Sequence, residues 1–162
     1  MTETPPNPWR DLTPDGEGLI VHDFITTRLS TLVGLLKRKL TLPYATQFGL
    51  SVSEWRVLSL LEHAGTLPFG ELVEQSTSDK SLVSRTIRLL EEKGLLTISP
   101  ESEHAKKKIA CAITSKGQEL CEEALHIARR RQAEILCTLP SDERAVLYDA
   151  IQKLQKAIMA VP

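Results

Sequence analysis

One stretch of the sequence, TSDKSLVSRTIRLLEEKGLL from Thr77 to Leu96, sets chemistry-bearing side chains at helical spacing. At roughly 100° per residue, Val83, Ile87 and Leu90 fall on one side of a helix. Ser81, Ser84, Arg85 and Arg88 fall on the other, and the acids Glu91 and Glu92 are kept to the far end. A face of this kind suits the major groove of duplex DNA. Small hydroxyls permit close approach, arginine grips guanine in bidentate fashion, and a helix N-terminus favours phosphate. Leu82, at the edge of the face, can meet a thymine methyl. Ser78 and Lys80, at the start of the helix, complete the candidate contact set there. The same pattern would serve an ordinary solvated amphipathic helix. A short helical segment and the polar turn Ser76-Thr77-Ser78 ahead of it favour the DNA reading, because they supply helix-turn-helix spacing.

A second basic feature is Lys106-Lys107-Lys108, on the tip or returning strand of an expected hairpin. There the lysines could meet phosphate or a minor groove, or simply keep the loop solvated. Arg129-Arg130-Arg131 lies late in a long helix, where salt bridges within a dimer are at least as good a reading as DNA contact. Nothing points to an enzyme. The chain has no Gly-rich phosphate loop, no GxSxG elbow and no HExxH. His22, His63, His104 and His126 are scattered, so no catalytic residues, no metal site and no cofactor are expected. Cys111, Cys121 and Cys137 contain no close pair, which argues against a disulfide framework or a zinc knuckle.

These residues need a scaffold, and its elements are legible. The chain has 162 residues, 41% hydrophobic and 25% charged, enough for one packed core with a dimerisation extension. The net charge of −1 means that DNA binding must rest on where the cations sit. No apolar run approaches the ~18 residues that cross a bilayer. The polar, Pro-rich residues 1–18 read as a disordered arm on a cytoplasmic protein. Ile25, Leu29, Leu32 and Leu36 mark a helix from about Leu19 to Leu42, which Pro43 and Gly49 are expected to break. Ser51 with Glu54 is a capping-box pattern that starts a helix with Trp55, Leu58 and Leu61 inward and Gly65 as its stop. Pro68 is placed in the first turn of the next short helix. Ser78 or Asp79 caps the helix that follows, and Gly94 ends it. Leu95 to Ile98 and KKKIACAIT form a hairpin, Thr114 or Ser115 caps a long helix to about Leu136, and Pro140-Ser141 starts a last one striped by Leu147, Ile151, Leu154 and Ile158.

The expected fold is mostly α with a small β-hairpin wing: a winged helix-turn-helix with long terminal dimerisation helices. Residues 49–113 form the DNA-binding region, and residues 19–48 and 114–162 the helical dimerisation region. The terminal helices show more apolar surface than the central unit can cover, which calls for a second copy.

Taken in order, GLSVSEWRVLSLL, ELVEQSTSDKSLVSRTIRLLEEKGLL, AITSKGQEL and LPSDERAVLYDAIQKL resemble the successive signatures of MarR-type transcription regulators, from about Leu19 to Ile158. The resemblance implies a homodimer with interlocked terminal helices, a recognition helix in the major groove and a wing near the minor groove. It also implies a pseudo-palindromic operator and, in many members, repression relieved by a small aromatic anion. By position, Ser81, Ser84 and Arg85 fall where such a helix meets DNA. The wing departs from the family, which carries an acid followed by arginines; here the stretch runs Glu103-His104-Ala105-Lys106-Lys107-Lys108, and lysine lacks the planar fork of arginine. Peroxide sensing through a cysteine of the first helix is disfavoured, since no cysteine precedes Cys111; Cys111 reads as a buried strand residue. The resemblance further points to an effector pocket between the first helix, the helix carrying Trp55 and the long helix after Thr114. His22, Phe24, Arg28, Trp55 and Arg56 are its candidate lining, suited to an aromatic carboxylate or its thioester. Membership of a fold does not fix function, so a protein-interaction module on a winged-helix scaffold, without DNA contact, is the competing expectation.

Overall fold

Helix-starting side chains set most of the architecture in the computed structural model, which describes residues 7–101 and 108–161. Glu103, His104, Ala105, Lys106 and Lys107 lie outside the described residues. After a 3-10 turn at Val21–Asp23 come α1 (Ile25–Leu36), a π-helical segment (Lys37–Thr41), α2 (Leu42–Gln47) and α3 (Val52–Ala64). Then follow β1 (Thr66–Pro68), α4 (Phe69–Ser76), α5 (Lys80–Glu92), β2 (Leu96–Pro100), β3 (Ile109–Ile113), α6 (Ser115–Leu136) and α7 (Ser141–Met159).

Ser51 and Glu54 close the expected capping box: Glu54 N–H donates to Ser51 Oγ at 3.2 Å and Ser51 N–H to Glu54 Oε2 at 2.8 Å. Asp79, rather than Ser78, caps α5, accepting from the Leu82 amide at 2.8 Å. Thr114 caps α6, accepting from the Gly117 amide at 3.1 Å.

Three expectations are corrected. Pro43 does not break the first helix, because helical geometry continues to Gln47. A proline lacks the N–H for the carbonyl four residues back and crowds it. The π-helical widening just before Pro43 relieves that conflict, and the proline falls in the first turn of α2, where no N–H is needed. The chain turns at Gly49 instead, with φ +67°. Pro68 does not sit inside the next helix; it ends β1 and occupies the N-cap of α4. The hairpin gains that third strand. The sheet order is β1-β3-β2, all antiparallel, with Leu67 and Ile98 flanking Cys111 in register. Pro68 is tolerated because β1 lies at an edge.

The core sits between α3, α4, α5, the sheet and the first half of α6. Leu58, Leu61, Leu72, Val83, Ile87, Leu90 and Leu96 are fully buried in it. Cys111 is buried in β3 as expected, and burial, with Glu91 nearby, pushes its thiol up to about 11. Gly117 marks the closest approach of α6 to the wing: a Cβ there would stand 2.2 Å from the Leu95 carbonyl oxygen, so any side chain would force the helix off the strand. By contrast, α1 and α7 contain no buried residue. Leu29, Leu32, Leu147, Ile151 and Leu154 are each 40–51% exposed.

A second role of Glu54 ties the unit together. This 5%-exposed carboxylate also receives Lys93 Nζ at 2.5 Å, and the same ammonium donates to the Gly49 carbonyl at 2.9 Å. Burial works to raise the Glu54 carboxyl, but Lys93 and the backbone and side chain of Ser51 outweigh it and hold the group below the ordinary carboxylate range. A lowered carboxyl pKa adds stability that is full at neutral pH and disappears as the pH falls through the folded-state value. Glu54→Gln should therefore lower the unfolding free energy at pH 7 by about 1–2 kcal/mol, the half-exposed Lys93 keeping the loss modest. In urea titrations the gap between wild type and variant should close as the pH drops below about 4. A gap unchanged from pH 7 to pH 3 would show that the charge on Glu54 contributes nothing.

Candidate nucleic-acid interface

Helix α5 turns Val83, Thr86, Ile87 and Leu90 into the core. Thr86 is reconciled with burial by donating its hydroxyl to the Leu82 carbonyl at 2.8 Å. The outward side carries Lys80, Ser81, Arg85 and Arg88 exposed and Ser84 half-buried. These five side chains line one shallow depression whose lining contains no acidic residue. The structure thus brings together five of the residues expected to meet DNA.

The other candidates are placed differently. Leu82 is half-buried at the edge of the face, with its amide taken up by the Asp79 cap. Ser78 belongs to the turn, where its hydroxyl donates to the Ser76 carbonyl at 3.3 Å. Lys108 stands at the base of the wing and shares a separate cleft with Lys80, Phe69 and the acids Glu71, Glu74 and Glu101. Those acids border the basic depression on one side and would repel phosphate there. The basic face of α5 thereby runs from Lys80 to Arg88.

The aim of α5 is set from its opposite end. Besides the Lys93 contacts, Lys116 Nζ donates to the Lys93 carbonyl at 2.7 Å and Thr114 Oγ1 to the Gly94 carbonyl at 2.8 Å. These are carbonyls that a helix end leaves without partners. From β2, the Ile98 amide donates to Glu91 Oε1 at 3.1 Å. Helix α5 is so fixed to α3, α6 and β2 at its C-terminal end while its outward face stays exposed. The sequence reading gave Lys93, Lys116 and Glu91 no anchoring role, because their partners are distant or backbone atoms.

A third concavity, a cavity of about 360 Å³, lies between α1, α3, the turn before α5 and α6. Trp55 and Arg56 line it, joined by Lys37, Tyr44, Thr77 and Gln132. Tyr44 and Trp55 meet edge to face, their ring centroids 5.5 Å apart. His22, Phe24 and Arg28 are exposed on the 3-10 turn and early α1 and do not line this cavity. Arg56 Nη2 donates to the Gln75 carbonyl at 2.9 Å. Arg130 and Arg131 pair with Glu134 of their own helix at 3.9 and 3.3 Å. Among the described residues no cluster of His, Cys, Asp and Glu could hold a metal ion, and no helix is long and apolar enough to cross a membrane.

Residues 48–107 match the MarR family. Two relatives share 26% identity with the chain. The uncharacterized HTH-type transcriptional regulator YdgJ of Bacillus subtilis matches over 110 residues, 68% of this chain and 66% of its own length. The HTH-type transcriptional regulator FarR of Neisseria gonorrhoeae matches over 115 residues, 70% of this chain and 77% of its own. Among solved structures, NadR in complex with 4-hydroxyphenylacetate superposes with a TM-score of 0.70 at 23% identity, covering 84% of this chain and 95% of NadR. A cysteine-to-serine mutant of MarR from E. coli, complexed with operator DNA, superposes with a TM-score of 0.72 at 22% identity, covering 84% of this chain and 98% of MarR.

Arg85 and Arg88 share the depression on α5, and the DNA reading expects different contacts from them. On a duplex selected by the wild-type protein, Arg85→Ala should lose about 1–3 kcal/mol of discrimination at one base pair. Arg88→Ala should weaken binding evenly across sequences and flatten the log–log salt dependence by about 0.9 for the lost phosphate contact. Wild-type binding by both variants, measured by fluorescence anisotropy over a salt series, would remove α5 from the interface.

Proposed function

We propose that the chain, whose residues 48–107 match the MarR family, is a winged helix-turn-helix protein of that family and a DNA-binding transcriptional regulator. It acts as a homodimer on a pseudo-palindromic operator and represses until a small aromatic anion releases it. The observation that carries the DNA reading is the acid-free depression of Lys80, Ser81, Ser84, Arg85 and Arg88 on the outward face of α5. The neighbour solved with operator DNA supports this reading.

Dimerisation follows from the uncovered helices. Covering a half-exposed leucine contributes about 1 kcal/mol. The α1 and α7 faces present Leu29, Leu32, Leu147, Ile151 and Leu154 from each copy. Their sum over two copies, about 10 kcal/mol, is a gross gain from which the cost of association is still to be taken. Two-fold proteins read two-fold sites, hence the symmetry expected of the operator.

The effector part rests on the cavity beside Trp55. Its volume suits a one-ring molecule. Tyr44 and Trp55 offer stacking surface, and Lys37 and Arg56 offer charge to a carboxylate. The neighbour bound to 4-hydroxyphenylacetate supports this choice of chemistry. Of the five side chains first considered for the effector, the proposal keeps Trp55 and Arg56, while Lys37 and Tyr44 take the place of His22, Phe24 and Arg28.

Mobility shifts against DNA upstream of the protein's own gene, and against duplexes selected from a random pool, test the function. A retarded band on an inverted repeat, competed by the same sequence and not by a scrambled one, is expected. Failure to select any duplex would refute it. Leu154→Asp should give monomers or aggregates in sedimentation and abolish the shift, whereas the wild type should sediment as a dimer at micromolar concentration. A well-folded wild-type monomer there would overturn the dimeric reading.

A further inference from the structure

Arg56 is exposed on α3, and among the described residues it forms no ion pair. Its Nη2 instead donates to the Gln75 carbonyl, the acceptor being next to last in α4. Such carbonyls lack intrahelical partners and carry the partial negative charge of the helix end. The next three residues, Ser76, Thr77 and Ser78, are the turn into the recognition helix. Thr77 holds φ +53°, left-handed geometry that a β-branched residue adopts only when its surroundings impose it. The Arg56 bond ties that turn to α3.

The same three turn residues line the cavity beside Trp55, together with Lys37 and Arg56, and no carboxylate lines it. A ligand carboxylate there finds only these two cations. It is a stronger acceptor than a peptide carbonyl, since it carries a full charge and can accept two parallel N–H bonds from a guanidinium.

We infer that Arg56 is a positioning residue that works as an exchangeable latch between the effector cavity and the helix-turn-helix turn. In the free protein it holds the end of α4 and so the turn that aims α5. A carboxylate seated beside Lys37 draws the guanidinium into the cavity and away from Gln75, and the turn loosens. The exchange supplies the differential affinity that release from DNA requires, because the ligand gains the full Arg56 contact only in the unlatched state. This role presupposes the anionic effector proposed above, whereas the ligand-free half of the test does not.

Arg56→Met keeps the stem and removes the donors; Arg56→Lys keeps the charge. Without ligand, Arg56→Met should bind a wild-type-selected duplex roughly three- to tenfold more weakly, the equivalent of one hydrogen bond. It should also speed amide hydrogen exchange at 76–78, and Arg56→Lys should recover part of both effects. With 4-hydroxyphenylacetate as the probe, exchange at the turn should rise in the wild type and stay at its already raised level in Arg56→Met, while Trp55 fluorescence reports occupancy. Unchanged turn exchange and DNA affinity in ligand-free Arg56→Met overturn the latch, even if the probe releases the wild type from DNA. A probe that leaves wild-type Trp55 fluorescence unchanged counts against the effector reading, and the ligand-free comparison still decides the latch.

Discussion

The ammonium of Lys93, held between the buried Glu54 carboxylate and the Gly49 carbonyl, anchors the end of α5, the helix proposed to face DNA. A surface that must face DNA cannot be braced by contacts across that surface. Its direction has to be imposed from behind and from the far end. Helix α5 meets this constraint with an inward row of Val83, Ile87 and Leu90 and with a C-terminal end whose carbonyls are taken by Lys116 and Thr114. The polarity of the helix suits the arrangement. The carbonyl end attracts lysine and hydroxyl donors from within the protein, and the amide end is left electropositive. Glu54 serves the start of α3 and the end of α5 with its two oxygens, so the two central helices share one buried anchor.

Around this rigid unit the chain wraps helices that it cannot itself cover. Apart from the flanking turns, α1 and α7 lie outside the region matched by the family, and neither contains a buried residue. Their stripes are regular enough to be specific and too apolar to remain in water. On the proposed reading the winged helix supplies recognition, while a second copy supplies the spacing between two recognition helices. A cavity lined by α1, α3 and the turn before α5 lies where those two tasks meet.

Local codes were legible in the sequence and long-range ones were not. Ser51 with Glu54, the Thr114 cap and the stripes of α3, α5 and α7 are written within a few residues of one another. The helical spacing placed Ser81, Ser84, Arg85 and Arg88 on one face, and Lys80 at the start of the helix joins them. Strand β1 escaped because three residues have no measurable period and acquire strand geometry only by pairing with β3, some forty positions later. The continuation through Pro43 escaped because π-helical widening leaves no compositional mark. Lys93 read as the last residue of a helix, since its partners lie 39 and 44 positions away. Arg56 was noticed for its charge, but its partner is a backbone carbonyl that no side-chain pattern encodes. His22, Phe24 and Arg28 came from family resemblance alone, and the cavity is lined by other residues.

The small sheet bears on how the chain survives before it finds its partner. Its two outer strands are poor templates for a foreign strand. β1 has only three residues and ends in Pro68; β2 ends in Pro100, and its Ile98 amide is occupied by the Glu91 carboxylate. Blocked edges of this kind discourage strand-on-strand growth. Among the described residues, a copy with its helical stripes bare thus meets others through exposed side chains and not through free strand edges. Such contacts can be exchanged, so misdocked copies remain able to separate and re-pair instead of being locked into fibrils.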